Sequence, residues 1–576
     1  RFRDEEGTAM QNLLKMRSWW CDNYVTSWWE NYVYMCSRKS LLVNSNYYVC
    51  GSFWATKRNI SREQRAANLI HTMLRFRKQI ENETLTPRLM RGIVPVCMSQ
   101  YERTFNTTRI PGLERDRLVH RERANHVAVF WQGRWYELRV QTWEGKMMSR
   151  AKLQAGLERI VDSDEPPSSR DVQMLTALGR TEWADFRERC LSEGRNRLSL
   201  DRIEKAAFTV VLCDEVKKKG TGWSERGNEL LTGAGGRVWC DKSLNLVVFK
   251  DGDAGLHVEH SWADALVSAH LWEWCVAEEV LMERDETIMK MEQEKKKDMD
   301  MLNDKNEDDD DERTKNIVLV SHLPFEVDSK IIEKARKYII KETKHVDVEI
   351  FCVEKCQRDR IKRSRISPDA FIQMALQLAY YRDTNGQFTL TYEATATRLF
   401  RNGRTETVRV VTQDSRNFVH VMTSKDSSRE AVEKALRLAC STHRENVKRR
   451  VTGNGIDRHL FALYVASKMT NPDACTPDML KIALEGKGRW RLSTSQQPQV
   501  QDVTQRDRVP QSERHKIASP GGGFGPAADD GYGVSYTWVE EGGLWFHVSG
   551  KRLGMSKRFG VEIQRAIKDM WDVLSE

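Results

Sequence analysis

The chain has 576 residues, too many for one core at ~150 residues per domain, so two large domains or three ordinary ones are expected. Hydrophobic residues make up 40% of it and 18 residues are tryptophan, a composition that excludes a disordered chain. The 92 basic residues are nearly balanced by 83 acidic ones, and without an arginine-rich tail or zinc-finger spacing the net +9 speaks against nucleic acid as a partner. A mildly basic surface suits an anionic small substrate or membrane headgroups instead.

The 12 cysteines are scattered singly from Cys21 to Cys475, and Cys352 and Cys356 lack the C-x-x-C spacing. That usage points to a reducing compartment and against a disulfide framework or a zinc site. No apolar run approaches the ~18 residues of a membrane-spanning helix, no signal peptide is legible, and the chain opens on Arg1 rather than Met.

Between Met10 and Tyr48, the aromatics Trp19, Trp20, Trp28, Trp29, Tyr32 and Tyr34 recur at near-helical spacing and read as core. "HVAVFWQGRWYELRV", His126 to Val140, reads as a hairpin around Gln132 and Gly133. "LNLVVFKDGDAGLHVEH" reads as a strand, a turn at Asp251 to Asp253, and a short second strand ending near His260. There the period-two pattern gives way to a helical one. A histidine at such a switch is held by backbone on both sides and can project into a cleft. His260, with Glu259 before it and Asp264 one turn after it, is a candidate general base. The plainer reading is a satisfied structural histidine, which most of the 13 histidines must be.

From Met282 to Lys315 the composition turns to charge and methionine, and it reads as a solvated helix running into an acidic linker. The Asp308 to Asp311 run matches no calcium loop. This block is the expected boundary, giving an N-terminal domain at 1–281, a linker at 282–316 and a C-terminal domain at 317–576.

In the second half, "SPDAFIQMALQLAYY" has Ser367 as N-cap, Pro368 at the first helical position and Asp369 in the first turn. The alternation Phe388, Leu390, Tyr392 predicts a strand with one buried face. Helices and strands alternate through both halves, so the class is α/β or α+β. "RLSTSQQP" fits an ordinary edge strand, or else a hydroxyl aimed at an oxyanion. "GGGFGP" fits a turn or linker, or else a hole in a packed wall for an apolar ligand. No P-loop is present, and "GNGIDRH" lacks the third glycine and the preceding strand of a dinucleotide fingerprint.

The segments "EHSWADA", "SPDAFIQMALQLAYY", "TYEA", "GRTETVR", "GIDRHLFALYVASK", "RLSTSQ" and "GGGFGPAADDGYGVSY" together resemble the carnitine and choline acyltransferase family. The resemblance runs from "SWWENYVYM" to "GYGVSYTWV" and fails only in the charged block and the stretch after it, up to about Arg360. Within the family, "NSNYYV", "FNTTRIPG" and "EHSWADA" resemble the long-chain, outer-mitochondrial-membrane (type one) carnitine palmitoyltransferases.

The resemblance implies two related CoA-dependent acyltransferase-type domains, each a mixed sheet with flanking helices, and an active-site tunnel between them. It implies reversible transfer of a long-chain acyl group between CoA and L-carnitine, serving fatty-acid import and β-oxidation, with no permanently bound cofactor and no metal. Long-chain acyl-CoA and L-carnitine are the implied partners, malonyl-CoA is an inhibitor to test for, and no nucleic acid is involved. The implied location is the mitochondrial outer membrane, with the catalytic region facing the cytosol and anchored by an upstream segment.

Residue by residue, His260 matches the general base that takes the proton from carnitine's hydroxyl or, in reverse, from the CoA thiol. Ser495 matches the hydroxyl that stabilises the oxyanion. Tyr392, Thr405 and Arg458 match the carboxylate-binding set, Trp29 and Tyr34 the aromatics on the carnitine side, and Asp264 an acid that orients Arg458. Asp369 matches a residue at the adenosine end of CoA. Arg358 and Lys362 fall where the family has two lysines facing the 3′-phosphate, although "CQRDRIKR" has lost the usual glycine-lysine-glycine wording. Gly521, Gly522 and Gly523 would open a channel for a long acyl tail, each buried methylene contributing ~0.8 kcal/mol. On that reading Gly522→Met shifts preference to short chains.

Two rivals stand beside this reading. One is a choline or short-chain carnitine acyltransferase, against which the three glycines, Thr405 and Arg458 speak. The other is a catalytically weak sensor of acyl-CoA or malonyl-CoA, suggested by the altered stretch from Ile317 to Arg360, by His257, and by Leu266 where type-one relatives usually have proline.

Overall fold

The computed structural model describes residues 6–55, 60–90, 92–164, 170–214, 222–299, 319–354, 356–470, 477–481, 490–497, 503–539 and 543–574. The strands of its two large sheets are β1 (Tyr47–Val49), β2 (His126–Trp131), β3 (Arg134–Arg139), β4 (Thr209–Leu212), β5 (Leu244–Val248), β6 (Ala254–Val258), β7 (Val320–Leu323), β8 (Asp347–Val353), β9 (Thr391–Ala396), β10 (Thr405–Arg409), β11 (Leu492–Gln496), β12 (Gly522–Phe524), β13 (Tyr532–Val539) and β14 (Gly543–Gly550). The first sheet has the order β7-β3-β2-β4-β5-β6-β1-β12 and the second β8-β14-β13-β11-β9-β10. Both mix parallel and antiparallel pairs.

The first sheet is buried on both faces because its strands are almost wholly apolar. Val129, Val210, Leu246, Leu256 and Val258 pack on one side, and Phe130, Val211 and Val247 on the other. The first of these faces is covered by α2 (Arg62–Glu81) and α3 (Ala265–Met299). A fully buried ion pair, Arg65 to Glu279 at 2.8 Å, ties the two helices together. The hairpin of β2 and β3 and the strand–turn–strand of β5 and β6 form as the patterns predict.

The second sheet is two-sided in chemistry. Val534, Tyr536, Leu544, Phe546 and Val548 form an apolar face against α4 (Pro368–Asp383), α5 (Arg429–Val451) and α7 (Met555–Leu574). In the register of its strands Tyr392 lies opposite Ser493, Ser495 opposite Ser535, and Ser535 opposite His547. With a side-chain period of two, these residues share the other face, which is lined with hydroxyls. That face meets the first sheet: the Tyr48 hydroxyl donates to His547 Nδ1 at 2.9 Å, while His547 Nε2 donates to the Pro520 carbonyl.

Several expectations change. β7 lies beyond the charged block yet forms the edge of the first sheet, and β12 joins its opposite edge, so a cut at 282–316 does not separate the two sheets. α3 runs through the first half of that block to Met299, and the acidic run at 308–311 lies outside the described residues. β11 sits between two parallel neighbours and is not an edge strand, and "GGF" of the glycine run is itself a strand. Trp19 and Trp20, expected in a core, are 76% and 85% exposed at the end of α1 (Glu6–Trp20). The strand expected from Phe388 begins at Thr391, because Phe388 packs instead on Tyr381 and His420.

Candidate active site

His260 follows β6 in the loop that leads into α3. Its Nδ1 lies 3.0 Å from the carbonyl oxygen of Ala263. A carbonyl only accepts, so Nδ1 carries the proton and Nε2 is left with a bare lone pair. The ring packs between those of Tyr34 and Tyr47, with centroids 5.3 and 5.0 Å away. Burial pushes its pKa below the ordinary value, with Asp264 pulling it up and Arg404 pushing it down. The imidazole is therefore neutral at physiological pH, the form a general base needs.

The loop around His260 is held by Arg404, a residue absent from the expected set. Its Nε donates to both oxygens of Asp264 at 3.2 Å, its Nη1 to Glu30 Oε1 at 2.9 Å and the Ser261 carbonyl at 2.7 Å, and its Nη2 to the carbonyl of His260 at 3.1 Å. Glu30 reaches it from a π-helical turn, Glu30–Met35, a wide turn of the kind found at functional sites. The expectation that Asp264 orients Arg458 is corrected here: its carboxylate pairs with Arg404, which lies just ahead of β10, and accepts from Gln100 Nε2. The signal in the sequence was the arginine opening "RTETVR", but only the fold shows what it reaches.

Arg458 begins α6 (Asp457–Thr470) beside β9 and β10. Its Nη2 donates to the Tyr392 hydroxyl at 3.3 Å and Thr405 Oγ1 at 3.2 Å, and its Nη1 donates to Thr407 Oγ1 at 3.2 Å. The guanidinium stacks 3.4 Å from the ring centroid of Trp29. Glu406 accepts from the backbone N–H of Arg458, and among the described residues no carboxylate pairs with its side chain. Its Nε is buried with no partner. Glu406 compensates this cation from its backbone side, and the guanidinium itself, held by hydroxyls and an aromatic face with no direct ion pair among the described residues, is a site for an anion.

Ser495 lies on the hydroxyl face of β11, and among the described residues its hydroxyl makes no hydrogen bond. Thr494 turns the other way and accepts from Gln373 Nε2 of α4. Beside this strand a cavity of 1230 Å³ runs from Tyr47, the neighbour of His260, past Ala269 and Trp272 to Gly521 and Arg358. Arg358 and Lys362 share one exposed helical turn, Arg358–Arg363, in which Lys362 pairs with Asp359.

Asp369, expected at the adenosine end, is half-buried at the start of α4 and joined to a polar network. It accepts from the Tyr536 hydroxyl at 2.6 Å and lies beside Glu393, which in turn binds His443 Nε2 at 2.7 Å. The ligand atoms of these three residues lie within 4.8 Å of one another, but a 2.7 Å nitrogen–oxygen contact is a hydrogen bond with no space for an ion between. Burial and Asp369 raise the Glu393 pKa to about 7, while Glu393 raises that of His443.

Both groups hold protons more tightly in the fold than in the unfolded chain. Their contribution to stability is complete at acid pH and is lost as pH rises through neutrality. The thermal midpoint should fall between mildly acid and mildly alkaline pH, and Glu393→Gln should flatten that fall. An equal slope in the variant would put the titration elsewhere.

The glycine run is explained by packing rather than by an open channel. Gly521 has φ +95° and lines the cavity. A Cβ on Gly522 would run into the backbone carbonyl of Tyr48, and one on Gly523 into the Tyr48 ring, because β12 lies against β1. Of the three, only Gly521 faces the cavity. Gly522→Met is therefore expected to separate the two strands, costing about 1–3 kcal/mol or more. Activity toward all chain lengths falls together, with a lower thermal midpoint as the check.

His257, one of the features that suggested a sensor, is a core histidine. It donates from Nδ1 to the Leu230 carbonyl and accepts from Asn46, and burial lowers its pKa to about 4.

The fold and this site define an acyltransferase. The family described as "Choline/Carnitine o-acyltransferase" matches residues 1–565, and the chain belongs to it. It is 38% identical over 585 residues to carnitine O-palmitoyltransferase 1, muscle isoform, of Sus scrofa, spanning 99% of this chain and 72% of that protein. It is also 38% identical over 580 residues to the liver isoform of Homo sapiens, spanning 98% and 71%. Carnitine O-acetyltransferase of Columba livia is 29% identical over 562 residues, spanning 93% and 80%.

Proposed function

We propose that the protein transfers long-chain acyl groups between CoA and L-carnitine, as a carnitine O-palmitoyltransferase. The observation that carries the reading is Arg458: a buried guanidinium with an unpartnered Nε, held by Tyr392 and Thr405 and stacked on Trp29. It suits a carboxylate-bearing acceptor, and an acceptor without a carboxylate, such as choline, would leave the guanidinium without a direct ion pair. The higher identity to palmitoyl- than to acetyl-transferring relatives favours a long chain.

In this reaction His260 Nε2 takes the proton of the carnitine hydroxyl as its oxygen attacks the thioester carbonyl. Ser495 donates a hydrogen bond to the oxyanion that forms. When the tetrahedral intermediate collapses, the carbon–sulfur bond breaks and the imidazolium returns the proton to the CoA sulfur. Arg358 and Lys362 supply charge for the CoA phosphates. No covalent acyl-enzyme is needed.

The resemblance alone suggests the mitochondrial outer membrane and the cytosolic side. Among the described residues no helix is long and apolar enough to cross a membrane. The test is release of free CoA from palmitoyl-CoA with and without L-carnitine, repeated with malonyl-CoA present to probe inhibition. Release should require carnitine. Binding of palmitoyl-CoA without carnitine-dependent release would overturn the reading in favour of a sensor.

A further inference from the structure

We infer that Arg109 is a positioning residue for the transfer, setting the catalytic histidine and the aromatic ring above it against one frame. The inference rests on the reading of His260 as the base. Arg109 lies in "FNTTRIPG", on the short strand Thr107–Ile110, and is 1% exposed. Its guanidinium points three ways. Nε donates to Asp116 Oδ2 at 2.7 Å, Nη1 to Glu259 Oε1 at 3.0 Å, and Nη2 to the backbone carbonyl of Tyr34.

Each contact leads to the reacting centre or to a fixed base. The second oxygen of Glu259 accepts from the backbone N–H of Ser261 at 3.1 Å and from its hydroxyl at 2.6 Å, so Arg109 and Glu259 close the turn that carries His260. The Tyr34 carbonyl belongs to the residue whose ring packs on the imidazole. Asp116 is the fixed point, since it also accepts from Arg180 and Arg38, and Arg180 is tied in turn to Asp241. Arg404 holds the loop from the C-terminal half of the chain and lies over the Tyr34 ring, 5.2 Å from its centroid, while Arg109 holds the loop from the N-terminal half and ties it to the Tyr34 backbone. The role needs a planar fork with three directed donors, which a lysine ammonium on a flexible stem cannot reproduce.

The test uses Arg109→Lys, which keeps the charge, and Glu259→Gln, which keeps the shape, each compared with wild type and His260→Ala. Arg109→Lys should lower kcat by ~10- to 100-fold while leaving KM for carnitine and palmitoyl-CoA nearly unchanged, because a displaced base loses the reaction rather than the binding. Glu259→Gln should lower kcat in the same direction with KM nearly unchanged, since it removes the carboxylate charge that pairs with Arg109. Carbethoxylation of His260, followed by peptide mass spectrometry, reads the ring without turnover and should change severalfold in Arg109→Lys. Wild-type kcat and unchanged His260 reactivity in a folded Arg109→Lys protein would overturn the inference. Changed His260 reactivity in a protein that shows no carnitine-dependent turnover would uphold the positioning and reject the assignment of the reaction.

Discussion

Replacing His260 by alanine lowers carnitine-dependent CoA release by about 10³-fold, in the middle of the ~10²–10⁴ that a positioned general base contributes. Binding of palmitoyl-CoA stays intact, because the loop does not depend on the ring. Arg404 holds the backbone carbonyls of His260 and Ser261, and Glu259 holds Ser261, whatever the side chain at 260. Wild-type activity should be flat from neutrality upward and fall only on the acid side, at a pH below the ordinary histidine value. The sign follows from burial, which favours the neutral imidazole and so keeps the base competent to lower pH. Thiol release with saturating carnitine across that pH range, on both proteins, checks the two statements together. A variant that keeps its rate within tenfold would mean that another group takes the proton.

The parts of this site legible in the sequence are those whose cause is local. Ser367 and Pro368 open α4 because an N-cap and a first-turn proline act within a few residues of themselves. His260 stands out because the period changes from two to 3.6 around it. What stayed hidden depends on contacts between residues far apart in the chain. Asp264 and Arg404 are 140 residues apart and Arg109 and Glu259 are 150 apart, so nothing in either neighbourhood says which acid meets which base. The same limit explains the hydroxyl run of β11, which has the composition of an edge strand but is enclosed by β9 and β13 brought from elsewhere. The glycines of β12 read as an open channel until Tyr48, from the other end of the chain, is seen to fill the space. Family resemblance supplied the residues of the carnitine and CoA sites; the partners of Asp264 and Asp369 came from the fold.

Arg458→Gln is the second large effect, and it falls on binding rather than on chemistry. Glutamine keeps part of the length and some hydrogen bonding but removes the positive charge that Tyr392, Thr405 and Thr407 hold in place over Trp29. Losing one member of a buried charge pair costs about 2–5 kcal/mol. The carnitine KM should therefore rise by at least ~30-fold, while KM for palmitoyl-CoA barely moves. kcat at saturating carnitine should change little, since the carboxylate takes no part in the bonds made and broken and its contact is equal in ground and transition states. Choline, which lacks the carboxylate, should be no worse a substrate for the variant than for the wild type, so the ratio of kcat/KM for carnitine over choline should collapse. If that ratio is unchanged, Arg458 serves the fold alone and the carboxylate of the acceptor is bound elsewhere. If it falls while kcat holds, the unpartnered guanidinium is the element that separates a carboxylate-bearing acceptor from a purely cationic one.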